Sequence, residues 1–205
     1  MPLFDITTLK TELFATPKVA PALEAWLAAP EAKGTLRGAW APDIGTLNDV
    51  ILLREYDNAE EMIAERTRAR LSDNPFGCME HLRSWSAESY IPLDFTLPVA
   101  SGAFGGVYEI RTYQPKLNGM APTIEKWCEA VPARTEYSPL SIAMYSLDGP
   151  TRFTQIWPYE NANSRAEIRG KTVADGVWPP KGGPAWLTAE MTSVLAVPLP
   201  FSPLK

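Results

Sequence analysis

The stretch VYEIRTY, residues 107–113, decides the fold, because a near-copy of it stands about one hundred residues earlier. LFDITTL, residues 3–9, places Phe4 on Tyr108, Asp5 on Glu109, Ile6 on Ile110 and Thr8 on Thr112. ALEAWLAA (22–29) then meets TIEKWCEA (123–130), aligning Trp26 with Trp127. DVILLREYDNAEEMIAER (49–66) meets RFTQIWPYENANSRAEIR (152–169), aligning Tyr56 with Tyr159 and Arg66 with Arg169. IPLDF (91–95) meets VPLPF (197–201). The offsets stay between 101 and 106 and the order never changes, which predicts an internal duplication.

Each half has one grammar. VYEIRTY alternates as a half-buried strand does. APTIEKWCEAVPARTEY predicts a helix, with Ile124, Trp127, Cys128 and Val131 as its apolar stripe. LSIAMYSLDG and RFTQIWPYE predict a hairpin about an Asp-Gly turn. NANSRAEIRGKTVADG predicts a helix capped by Asn163 or Ser164 and stopped at Gly176. GPAWLTAEMTSVL predicts a third helical piece, and AVPLPF a last short strand. The order is β-α-β-β-α-(α)-β, the ferredoxin-like pattern of the α+β class. The copies are expected at 1–98 and 107–205, joined by a flexible linker over 99–106. Each four-stranded sheet has a face that its helices leave bare. Two copies in one chain can bury those faces against each other and close a barrel.

The second half, with YEIRTY, GPTRFTQIWPYENANSRAEIR and VPLPFSP, resembles the NIPSNAP family. The first half looks like a divergent copy: EYDNAEEMIAER lacks the arginine that the family pattern carries early in that helix. The resemblance implies a dimeric α+β barrel fold, here built within one chain. It does not imply a reaction, since this fold hosts unrelated activities. Arg165 stands where the family pattern has its arginine. With Arg169, four residues on, it is expected at an interface or in a structural salt bridge, with anion binding as the second reading.

Phe4, Ile6, Tyr108 and Ile110 are apolar in both copies, so that face is expected against the helices. Asp5, Thr7, Leu9, Glu109, Arg111 and Tyr113 are then expected to face the barrel interior. In the second copy Glu109, Arg111, Tyr113, Tyr145, Gln155 and Trp157 would line a ligand-binding lumen, aromatic-walled with a few polar groups. The alternatives are that Glu109 and Arg111 form a structural ion pair, and that Phe153 and Trp157 are plain core. A hydrated lumen would favour a small-molecule binder or a cofactor-free, monooxygenase-like enzyme. A lumen filled by its own side chains would favour a non-catalytic interaction module, and animal members of the family are linked to protein recruitment. Glu109 is a candidate general base if partial burial raises its pKa.

Composition excludes several classes. The chain has 205 residues, a net charge of −5 and no clustered basic patch, so no nucleic-acid partner is expected. No apolar run is long enough to span a membrane. No presequence or signal is visible, and Cys78 and Cys128 read as reduced, buried thiols of a cytoplasmic protein. His81 is the only histidine. With Cys78 three residues before it, on a helix, it gives too few ligands for zinc. No nucleotide motif is present. No metal and no cofactor are expected, and a further homodimer is expected through sheet edges and aromatic surfaces.

Overall fold

A computed structural model describes residues 2–205. The first unit runs β1 (Leu3–Thr11), α1 (Thr16–Leu27), β2 (Thr35–Ile44), β3 (Asp49–Tyr56), α2 (Ala59–Leu71) and β4 (Leu82–Pro92). The second repeats the order: β5 (Val107–Pro115), α3 (Met120–Thr135), β6 (Ile142–Ser146), β7 (Phe153–Tyr159), α4 (Ala162–Ala174) and β8 (Leu187–Pro198). The eight strands close one antiparallel barrel in the order β1-β3-β2-β8-β5-β7-β6-β4. The β2·β8 and β4·β6 pairs join the two units. Closure leaves no strand edge of this sheet free, so the edge argument for a further homodimer does not hold.

The lumen is solid, and this reverses the expected facing of β1, β5 and β7. Phe4, Ile6, Trp40, Ile51, Leu53, Tyr90, Tyr108, Ile110, Ile142, Met144, Ile156 and Ala196 form one buried cluster drawn from all eight strands. The Trp40 and Tyr108 rings meet across it at 5.4 Å. Gly38 leaves room for this packing: a Cβ there would lie 1.9 Å from the Trp40 indole. An eight-stranded barrel can be filled by its own side chains, and here it is. The mainly apolar face therefore goes inside, where the hydroxyls of Thr112, Thr154 and Tyr90 bond to one another. The mixed face goes outward under the helices, whose arginines can meet it.

Two further clusters lie between sheet and helices. In the first unit Leu9, Leu52 and Phe76 pack against Val19 and Leu23 of α1. In the second, Tyr113, Phe153 and Trp157 pack against Trp127 and Val131 of α3 and against Trp178. Thr123, Trp127, Val131 and Arg134 are the buried face of α3, so Cys128 lies off it and is exposed, while Cys78 is buried.

Four local expectations are corrected. The segment 183–195 is not a helix: a short 3-10 turn, Gly183–Trp186, leads into the long strand β8. Asn161, not Asn163 or Ser164, caps α4, its side chain accepting from the Asn163 and Ser164 amides in a capping box. His81 ends a 3-10 turn before β4 instead of sitting on a helix with Cys78. The joint over 99–106 is held, not loose. Val99 and Leu204 pack into the lumen cluster, the Gly102 amide donates to the Pro203 carbonyl at 3.0 Å, and the Lys205 amide donates to the Gly102 carbonyl at 2.9 Å.

Candidate functional site

The outer face of β5 carries Glu109, Arg111 and Tyr113. β7 sets Trp157, Gln155 and Phe153 beside them, and β8 sets Leu195, Ser193 and Met191 on the other side. The capping box starts α4 so that Arg165 and Arg169, one turn apart, reach down to the strand. Glu109 is completely buried. Its Oε1 accepts from Arg111 Nη1 at 2.8 Å, from Ser193 Oγ at 2.7 Å and from Arg165. Its Oε2 faces Arg169 Nη1 at 3.5 Å with no hydrogen bond. Burial alone would raise this carboxyl's pKa; the bonds from Arg165 and Arg111, with the Arg169 charge and Ser193, bring it down to about 2. Glu109 is therefore a fixed anion that holds arginines in place, not a general base.

Arg111 Nε donates to the Tyr113 hydroxyl at 3.1 Å. Gln155 Nε2 donates to the Arg111 carbonyl at 3.3 Å, which ties this side chain to the strand. Trp157 is core, stacked under Arg134 at 4.4 Å. Arg134 is buried and donates to Ser138 Oγ at 2.8 Å and the Tyr159 hydroxyl at 3.1 Å. Burial lowers its pKa, and the Arg169 charge adds to that. Tyr145 stands apart, in a shallow hollow with Ile91, Phe95 and Cys128.

Beside the arginines opens a cleft of about 270 Å³. Arg111 and Arg169 stand at its polar end. Tyr113, Trp127, Trp178 and Met191 wall it, and the segment from Pro179 to Leu187 rims it. Trp178 meets Trp127 edge-on at 4.8 Å. The Lys116 amide donates to the Trp186 carbonyl at 2.9 Å, anchoring that rim to the turn before α3.

The same place in the first unit is filled. The register that sets Met191 beside Tyr113 sets Trp85 beside Leu9. Trp85 packs against Phe76 at 5.2 Å and under Arg70 at 4.3 Å. Arg70 aligns with Val173, which lines the cleft. Two exchanges, Trp85 for Met191 and Arg70 for Val173, thus separate a closed copy from an open one. Sequence reasoning missed Trp178, Val173 and Met191. The Trp85–Met191 mismatch is the signal that would have found them, but it needs the β8 register, which the helical reading of that segment hid.

The NIPSNAP family model matches residues 9–88 and 108–203. The chain belongs to the NIPSNAP family. Among curated proteins nothing matches it. Among solved structures, a Lactobacillus acidophilus NCFM protein named provisionally as a monooxygenase is similar at TM-score 0.68 and 13% identity, over 96% of this chain and 93% of that one. An anthrone oxidase-like protein is similar at TM-score 0.68 and 8% identity, over 97% and 91%. A NIPSNAP domain protein from Burkholderia xenovorans is 22% identical over 46% of this chain and 96% of its own, at TM-score 0.43. The first two likenesses are of fold, and they cover the whole barrel of this NIPSNAP protein. Among the described residues no group of His, Cys, Asp and Glu could hold a metal ion, and no helix is long and apolar enough to cross a membrane.

Proposed function

We propose that this NIPSNAP protein binds a small molecule with an apolar body in the cleft between β5, β8, α3 and α4 of its second unit. One observation carries the reading: the cleft is open in one unit and closed by Trp85 in the other. A space left over by poor packing has no reason to keep a wall of Trp, Tyr and Pro beside two arginines. Binding without catalysis fits the lining better than a monooxygenase-like reaction. No carboxylate or imidazole faces the cleft, and Glu109 stays ionised to about pH 2, so no ordinary base stands ready for proton abstraction.

The filled lumen favours a second reading, a non-catalytic interaction module. The cleft outweighs it because an interaction surface needs no enclosed aromatic wall. A homodimer stays within the proposal only as a contact between side-chain surfaces. The division into copies at 1–98 and 107–205 belongs to it too.

The test is native mass spectrometry of the freshly purified protein beside its Met191→Trp variant. The expected result is a non-covalent added mass on the wild type, lost on denaturation and lost in the variant. An added mass that survives Met191→Trp would refute the cleft as its site. A bare mass on both would move the weight to the interaction reading.

A further inference from the structure

We infer that the ligand of this cleft is a carboxylate on an apolar ring or short chain, with its charged end held by Arg169 beside Arg111. The inference rests on the cleft being the binding site.

The unequal charge balance of the two units carries it. In the first unit Arg54 pairs with Asp5 at 3.2 Å and Glu65 at 2.9 Å, and Arg68 pairs with Glu65 at 2.8 Å and reaches Glu31 at 3.8 Å. Arg66 stands 3.5 Å from Asp5 and 3.8 Å from Asp148. Three arginines there meet three carboxylates of their own unit, and Arg66 also nears Asp148 of the second. In the second unit Ile168 takes the place of Glu65, and Arg165 takes the place of Met62. Among the described residues Arg111, Arg165 and Arg169 have ion pairs to Glu109 only, and Arg134 has none. One carboxylate answers three guanidiniums, and the fourth has none. Half-buried positive charge without a counter-ion is costly, and the copy that keeps its acids is the copy whose cleft is closed.

The class of anion follows from which arginine is free. Arg111 is tied by bonds to Glu109 Oε1 and to the Tyr113 hydroxyl, and Arg165 by a bond to Glu109 Oε1. Arg169 makes no hydrogen bond to Glu109, and it lines the cleft. One free guanidinium fork suits the two oxygens of a carboxylate. Past it the walls are Tyr113, Trp127, Trp178 and Met191, which offer area and almost no hydrogen bonds. The ligand is therefore charged at one end and apolar at the other.

The test uses matched probe pairs in calorimetric titration at low salt: 2-naphthoate against 2-naphthalenemethanol, and octanoate against octanol. The expected result is a carboxylate preference of about tenfold or more in at least one pair, in line with a charge-assisted pair of bonds. It should shrink with added salt, vanish in Arg169→Gln and survive in part in Arg169→Lys, while Met191→Trp should abolish binding of both members. Glu109 keeps Arg111 and Arg165 in these Arg169 variants, so both should fold; melting curves check this. Equal binding of acid and alcohol, both lost in Met191→Trp, would overturn the carboxylate and leave the cleft standing. Binding of neither member, or binding that Met191→Trp does not touch, would overturn both.

Discussion

Glu109 shares its charge with no solvent, so its ionisation depends on the arginines around it. Its carboxyl sits at about 2, well below the ordinary 4.5. A depressed carboxyl stabilises the fold above its unfolded pKa, and that stability is lost as pH falls through the folded value. The shift corresponds to about 3 kcal/mol, fully present above pH 4.5 and gone near pH 2. Glu109→Gln should therefore cost about 3 kcal/mol at neutral pH, within the range for breaking a buried ion pair. Urea unfolding of both proteins across pH checks this: their gap should narrow steadily below pH 4.5, and a constant gap would contradict it. The sequence showed that Glu109 and Arg111 share a strand face, and offered an ion pair as one reading. It could not show which face is inward, because period two fixes what lies together and not where it points. Barrel width and the α4 arginines decided that. Arg111 and Tyr113 were thus singled out in the sequence as ligand-facing candidates and Arg169 as an interface or salt-bridge residue, and the outward face on which they meet was not legible.

The helix α4 delivers Arg165 and Arg169, and its first turn depends on the Asn161 capping box. Asn161→Ala should lower stability by about 1 kcal/mol, read as a fall in melting temperature. It should also weaken binding of the naphthoate probe, since the arginines ride on that turn. The cleft rim depends on Gly119, where a Cβ would lie 2.3 Å from the Trp186 carbonyl oxygen. Gly119→Ala should cost about 1–3 kcal/mol by overpacking. A variant as stable as wild type would show that the rim is not anchored there. The helix α3 was legible from its apolar stripe, and α4 from the polar run before it and the Gly176 stop, though its cap is Asn161 and not Asn163 or Ser164. β8 was not: Ala, Glu, Met and Leu within 185–195 favour a helix in isolation. The strand prevails because β8 pairs with β5 on one side and β2 on the other, without which the barrel would stay open.

At the scale of the whole molecule, one lumen core drawn from both units makes the two units interdependent. Unfolding should follow a single transition, with tryptophan fluorescence and far-ultraviolet circular dichroism coincident, although Trp26 and Trp85 report one unit and Trp127, Trp157 and Trp178 the other. Residues 107–205 alone would expose Tyr108, Ile110, Ile142 and Ile156, and should self-associate in sedimentation. A stable, monomeric fragment would contradict the shared core. The duplicated order and the barrel could be read from the recurrence of LFDITTL as VYEIRTY. The solid lumen could not, because nothing in either copy states how wide the closed sheet will be. The binding space proposed here lies outside the barrel, beneath α4, and a crystal structure of the protein soaked with 2-naphthoate tests it. The ring is expected between Trp178 and Met191, with its carboxylate on Arg169 and the lumen unchanged. Density for the ring inside the barrel, displacing Phe4 or Tyr108, or no density in the cleft at saturation, would contradict it.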